Sequence, residues 1–147
     1  MKFFKVLFVA GLFFIANAGM LWAQNAAPDQ KLGEVLKGVI LENFDAYEKE
    51  DLTRVLNTVH TQSYGYLTTK QATQEIFTEY DLHYELLGSS FVGQNGDFAL
   101  MRVQQKTTKV SGPAFRDNEL DIIFIFKQEN SRWKFWTQAV LDIKFLN

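Results

Sequence analysis

Residues 116–145, RDNELDIIFIFKQENSRWKFWTQAVLDIKF, decide the fold. Two segments of period two, Arg116 to Gln128 and Trp133 to Phe145, flank a turn signal at Glu129-Asn130-Ser131, the pattern of an antiparallel hairpin. In the first segment Leu120, Ile122, Phe124 and Phe126 oppose Asp121, Ile123, Ile125 and Lys127. Both faces are apolar over several residues, so both need cover. In the second segment Trp133, Phe135, Thr137, Ala139, Leu141, Ile143 and Phe145 fall on one side, with Lys134, Trp136, Gln138, Val140, Asp142 and Lys144 on the other.

Working outward, the same period reaches back to Leu82. It predicts strands from Leu82 to Leu87, continuing toward Phe91, and from Phe98 to Val110, separated by turn signals at Gly88, Gly93, Asn95-Gly96 and Gly112-Pro113. Upstream of Leu82 the period is helical. Asp29 is placed to cap a helix running to Glu50, with Val35, Leu36, Val39, Ile40, Phe44 and Tyr47 as its apolar stripe. Asp51 is placed to cap a shorter second helix that buries Leu52, Val55, Leu56 and Val59. Thr68 and Gln71 read as a capping box opening a third, whose face is Ala72, Ile76, Phe77 and Tyr80. Helices followed by long antiparallel strands predict an α+β domain with three helices on one face of a curved sheet. The second apolar face predicts a homodimer formed sheet to sheet.

The 147 residues suffice for one domain, and 47% hydrophobic with 15% aromatic residues is enough for a real core. Lys2 and Lys5 precede an apolar run from Val6 to Ala16, the order of a secretory leader and too short to span a bilayer. The expected division is a leader over 1–23 cleaved after Ala23, with Ala16-Asn17-Ala18 as a second site, a lead-in over 24–30 and a domain over 31–147. The protein is therefore expected to be exported, to the periplasm or outside the cell, with no membrane association once the leader is removed. A formal charge of −2 with no basic run argues against nucleic acid as a partner. No cysteine is present, no metal-ligand spacing is recognisable, and neither a phosphate loop nor a dinucleotide fingerprint occurs, so no cofactor or metal is implied.

The order of weak motifs resembles the NTF2-like superfamily, which includes SnoaL-like proteins and ketosteroid isomerases. The resemblance is carried by Phe44-Asp45-Ala46-Tyr47-Glu48-Lys49-Glu50-Asp51-Leu52, by Gly96-Asp97-Phe98-Ala99-Leu100-Met101-Arg102-Val103, by Phe115-Arg116-Asp117-Asn118 and by Ser131-Arg132-Trp133-Lys134-Phe135. It covers about Lys31 to Phe145. It implies a cone-shaped domain with a pocket between concave sheet and helices, and, because the group holds enzymes, adaptors and binding proteins, it does not by itself assign a reaction.

In such a pocket Tyr47, Tyr64, Tyr66, Phe77, Tyr80 and Tyr84 would supply aromatic and hydroxyl surface for a small apolar ligand. His60, Arg102 and Gln104 are the further polar candidates for binding. An isomerase-like mechanism needs a carboxylate base and an enolate-stabilising donor. Residues 60–69 contain no Asp or Glu, so Tyr47, His60 and Asp121 are the remaining candidates for catalysis. The first expectation is a noncatalytic exported homodimer that binds a small apolar ligand or a protein partner. The alternatives are an enzyme of proton transfer, cyclisation or dehydration, and an adaptor whose cone is solidly filled.

Overall fold

The computed structural model describes residues 30–146. The expected leader, its cleavage sites and the Asp29 cap lie outside the described residues. Gln30, expected in the lead-in, opens the first helix.

Three helices, α1 (Gln30–Glu48), α2 (Leu52–Asn57) and α3 (Tyr66–Glu79), precede four strands, β1 (Asp81–Asn95), β2 (Phe98–Ser111), β3 (Asn118–Glu129) and β4 (Arg132–Phe145). The strands form one antiparallel sheet in the order β1-β2-β3-β4. The expected α+β arrangement is thus present, with β1 continuous to Asn95 rather than ending near Phe91.

The core lies between α1 and the middle of the sheet. Leu32, Leu36, Ile40 and Phe44, spaced by three and four, meet Ala99, Met101 and Val103 of β2 and Ile122, Phe124 and Phe126 of β3. Val35, expected inside, is half exposed, because the buried stripe passes through Leu32 and Leu36 and leaves position 35 at its edge. Burial of Phe126, the largest fully buried side chain, contributes about 1.5–3 kcal/mol.

Local chemistry explains the element ends. Asp51 accepts a hydrogen bond from the backbone N–H of Arg54 at 3.0 Å, the N-cap expected for α2. The α3 start differs from expectation. The helix begins at Tyr66 after Gly65, so Thr68 and Gln71 lie inside it on its exposed side and form no capping box. Its inward residue is Thr73, fully buried, and Ala72 is exposed. Both hairpins use positive backbone torsions, at Gly96 between β1 and β2 and at Asn130 and Ser131 between β3 and β4. Gly112 combines φ +115° with a close approach to α3, where a Cβ would lie 2.5 Å from the Glu79 carbonyl oxygen.

The last strand departs from strict alternation. Phe126 pairs with Phe135, but Phe124 pairs with Gln138 and Ile122 with Val140, and the register shifts again beyond Asp121. Residues directly opposite share a face, so one extra residue, Trp136, carries Gln138 and Val140 onto the Phe135 side and Thr137 and Ala139 onto the other, and a second, Leu141, restores the alternation. The faces assigned by simple alternation are therefore correct around Phe135 and reversed from Thr137 to Val140.

Candidate functional site

A cavity of about 310 Å³ opens where α1, the start of α3 and the inner face of the sheet diverge. Its aromatic walls are Phe44 and Tyr47 of α1, Tyr84 of β1, Phe124 of β3, and Phe135 and Trp136 of β4, with Val59 and Ile76 completing the apolar surface. Asn43, Ser63, Thr69, Gln105, Thr137 and Gln138 supply the polar surface. The volume is at the lower end of the range typical of small-molecule sites. The space between helices and sheet is thus not filled solid by side chains.

One side of the cavity depends on the bulge at Trp136. A residue inserted into an antiparallel strand leaves its backbone groups outside the ladder. The Trp136 carbonyl instead accepts the Ser63 hydroxyl at 2.6 Å, while Ser63 Oγ receives the Gly65 N–H at 3.1 Å. Nearby, His60 N–H donates to the Phe135 carbonyl at 2.9 Å, and Phe135 N–H to that of Thr58 at 2.8 Å. These bonds stitch residues 58–63 along the β4 edge. Glu129 extends the seam by accepting the backbone N–H of Thr61 at 3.0 Å, the Thr61 hydroxyl, and Lys134 Nζ at 2.5 Å. Lys134 first, and then Thr61, hold the Glu129 carboxyl well down, to about 2.

Among the lining residues none carries a charge near neutrality. Burial pushes the Tyr47 phenol up from its ordinary value, against a smaller opposing effect of its 2.9 Å hydrogen bond with Thr73 Oγ1. Burial also raises Tyr84, reinforced by Tyr47 and Glu48. Both phenols remain protonated across the ordinary pH range. Their rings lie 5.4 Å apart, and Tyr84 is 5.7 Å from Phe44.

Of the residues anticipated from sequence, Tyr47 and Tyr84 line this cavity. Phe77 stands behind it, edge-on to Tyr47 at 5.7 Å. Tyr66 is half-buried at the start of α3, Tyr64 is 97% exposed, and Tyr80 packs on Phe115 at the other end of the helix. His60 is buried but lines a separate depression with Glu129 and Lys127. Its Nδ1 accepts the Gln62 N–H at 3.1 Å, and its ring meets Trp136 edge-on at 5.0 Å. Arg102 and Gln104 lie on the sheet face away from α1. Arg102 Nε and an Nη clamp the Asp121 carboxylate at 2.9 and 2.5 Å, which keeps that acid ionised on the same outer face. Tyr47, His60 and Asp121 consequently occupy three different environments and do not converge. The cavity residues not anticipated include Asn43, Ser63, Thr69, Gln105, Trp136 and Gln138. A signal existed for Gln105, since it continues the buried series Ala99, Met101, Val103 by one more step of two.

Among the described residues no group of three or more His, Asp or Glu side chains is arranged to hold a metal ion, and no helix is long and apolar enough to cross a membrane.

Comparison with solved structures places this architecture among NTF2-like folds. A protein from Novosphingobium aromaticivorans, proposed to be an aromatic ring hydroxylase, superposes with a TM-score of 0.66 at 15% identity, over 80% of this chain and 94% of its own. An NTF2-like family protein from Streptomyces avermitilis, proposed to be a dehydratase, gives 0.62 at 15% identity over 78% and 96%. An NTF2-like protein of unknown function from Pseudomonas putida gives 0.64 at 9% identity over 78% and 88%. The chain has the NTF2-like fold. Curated protein sequences yield no match. The family profile described as the anti-sigma-I factor RsgI9, C-terminal domain, matches residues 38–146.

Proposed function

The chain belongs to the family of the C-terminal domain of anti-sigma-I factor RsgI9, and from that premise we propose that it is an exported, noncatalytic binding module that holds a small, uncharged, largely apolar ligand between its helices and sheet. The observation that carries this reading is the chemistry of the cavity lining: aromatic and aliphatic walls with hydroxyls and carboxamides, and no carboxylate, imidazole or ammonium among the described residues. General acid–base catalysis needs a group that gains or loses a proton near the working pH. Neither phenol in the lining does so, because burial raises both.

The family is described by an anti-sigma-I factor, a description that names no reaction. The dehydratase and hydroxylase assignments proposed for two structural neighbours describe those proteins. Export rests on the charged-then-apolar leader, and curvature of the sheet into a cone on the resemblance to the superfamily. Homodimerisation rests on Leu100, Ile123 and Ile125, which stand on the sheet face that the helices leave uncovered.

Native mass spectrometry of the protein purified gently from its own host, followed by denaturing analysis of any retained molecule, tests ligand and assembly together. A dimer carrying a reproducible extra mass of an uncharged compound is the expected result. A retained compound that the protein converts to a second species would overturn the noncatalytic reading, and monomer alone across working concentrations in light scattering would remove the dimer.

A further inference from the structure

The hydrogen-bonding groups of the cavity divide into those already committed within the protein and those left over, and the second set offers both acceptors and donors. Thr58 Oγ1 lies 2.7 Å from the Val55 carbonyl and 2.8 Å from Asn43 Nδ2. A carbonyl only accepts, so the single Thr58 proton goes to Val55 and the Thr58 oxygen must receive the Asn43 amide. That fixes the Asn43 nitrogen toward Thr58 and turns its carbonyl oxygen to the opposite side, on a residue that lines the cavity. Gln105 is more than nine-tenths buried, and its only side-chain contact is a long one of 3.4 Å from Nε2 to the Thr107 hydroxyl. Its carbonyl oxygen is therefore unused. Tyr47 and Ser63 are committed to Thr73 and to the Trp136 carbonyl, whereas the Tyr84 hydroxyl has no hydrogen-bond partner among the described residues.

The uncommitted groups on buried and half-buried lining residues are thus two side-chain carbonyls, which call for donors, and the Tyr84 phenol and Thr69 hydroxyl, which can meet an acceptor, while Thr137 and Gln138 stand exposed. A ligand that leaves them unmatched strands buried polar groups, at a cost of about 1–3 kcal/mol each. An anionic ligand would meet two carbonyl dipoles of the wrong sign and no cation.

Building on the binding-module reading above, we propose that the cavity selects ligands whose apolar body carries a neutral donor–acceptor group of carboxamide type, its N–H directed to Asn43 and Gln105 and its C=O to Tyr84. The Thr58 bonds aim the Asn43 amide, and the long contact with Thr107 leaves the Gln105 amide free to adjust to the ligand.

Benzamide, benzoate and toluene form a shape-matched series of probes, followed by chemical-shift changes in the purified protein. The expected order is benzamide tightest, with benzoate at least about tenfold weaker, a difference of about 1.4 kcal/mol. Tyr84→Phe keeps the ring and removes a hydroxyl that has no partner in the protein, so it leaves the fold intact. It should weaken benzamide about fivefold to tenfold and leave toluene unchanged. Benzoate binding as tightly as benzamide, or benzamide binding that is indifferent to Tyr84→Phe, would overturn the selection while leaving the binding module standing. If none of the three perturbs the cavity residues, the module itself falls and the selection with it.

Discussion

At the residue level, single hydrogen bonds and single torsions decide which side chains reach the cavity. Thr73 is fully buried and holds the Tyr47 hydroxyl at 2.9 Å. Thr73→Val keeps the shape and strands that phenol, so we expect a loss of about 1 kcal/mol in urea unfolding, with the midpoint lowered and its slope unchanged. Gly112→Ala should cost more, since it places a Cβ against the Glu79 carbonyl at a left-handed torsion. A melting temperature equal to that of the parent would contradict this close packing of the β2 end on α3. The sequence was least informative at this scale. Gln104 and Gln105 are the same residue type one step apart, and only the side of the pleat separates an exposed amide from a buried one. His60 offered a general base by type, but the turn that follows it ties up Nδ1 with a backbone N–H.

Elements were far more legible than contacts, because each carries its period many times over. The stripe from Leu32 to Phe44, the Asp51 cap and the pairing of β2 with β3 all follow from spacing and turn chemistry. Asp51→Ala removes the cap of a helix only six residues long and should destabilise the domain by about 1 kcal/mol, which equilibrium denaturation can measure. The capping box at Thr68 and Gln71 misled because α3 starts one turn-fragment earlier, at Tyr66, where Gly65 needs no side-chain acceptor. Register shifts in β4 were invisible for a different reason. Trp136 and Leu141 sit in an alternating apolar–polar text that reads smoothly in either phase, and only the partner strand reveals that it has fewer residues.

For the molecule as a whole, the seam between residues 58–63 and the β4 edge links the helical layer to the far side of the sheet, and Glu129 is its charged member. Its folded pKa of about 2 lies below the ordinary 4.5, so its contribution to stability is complete above about pH 4.5 and is lost as pH falls toward 2. Thermal melts across that window should show Glu129→Gln flattening the acid limb relative to the parent, and parallel curves for the two proteins would refute the assignment. The α+β architecture of this molecule was readable from sequence, while the position of its cavity was not, since that depends on the seam and on where β4 outgrows β3. The bulge at Trp136 has an evolutionary corollary: the indole is carried as a removable insertion, outside the count that sets which side chains face inward. Deleting Trp136 would leave Thr137 opposite Ile125 and Gln138 opposite Phe124, so the inner wall would keep its pairing and lose one aromatic ring and the carbonyl that anchors Ser63, a one-step route for relatives to a wider chamber.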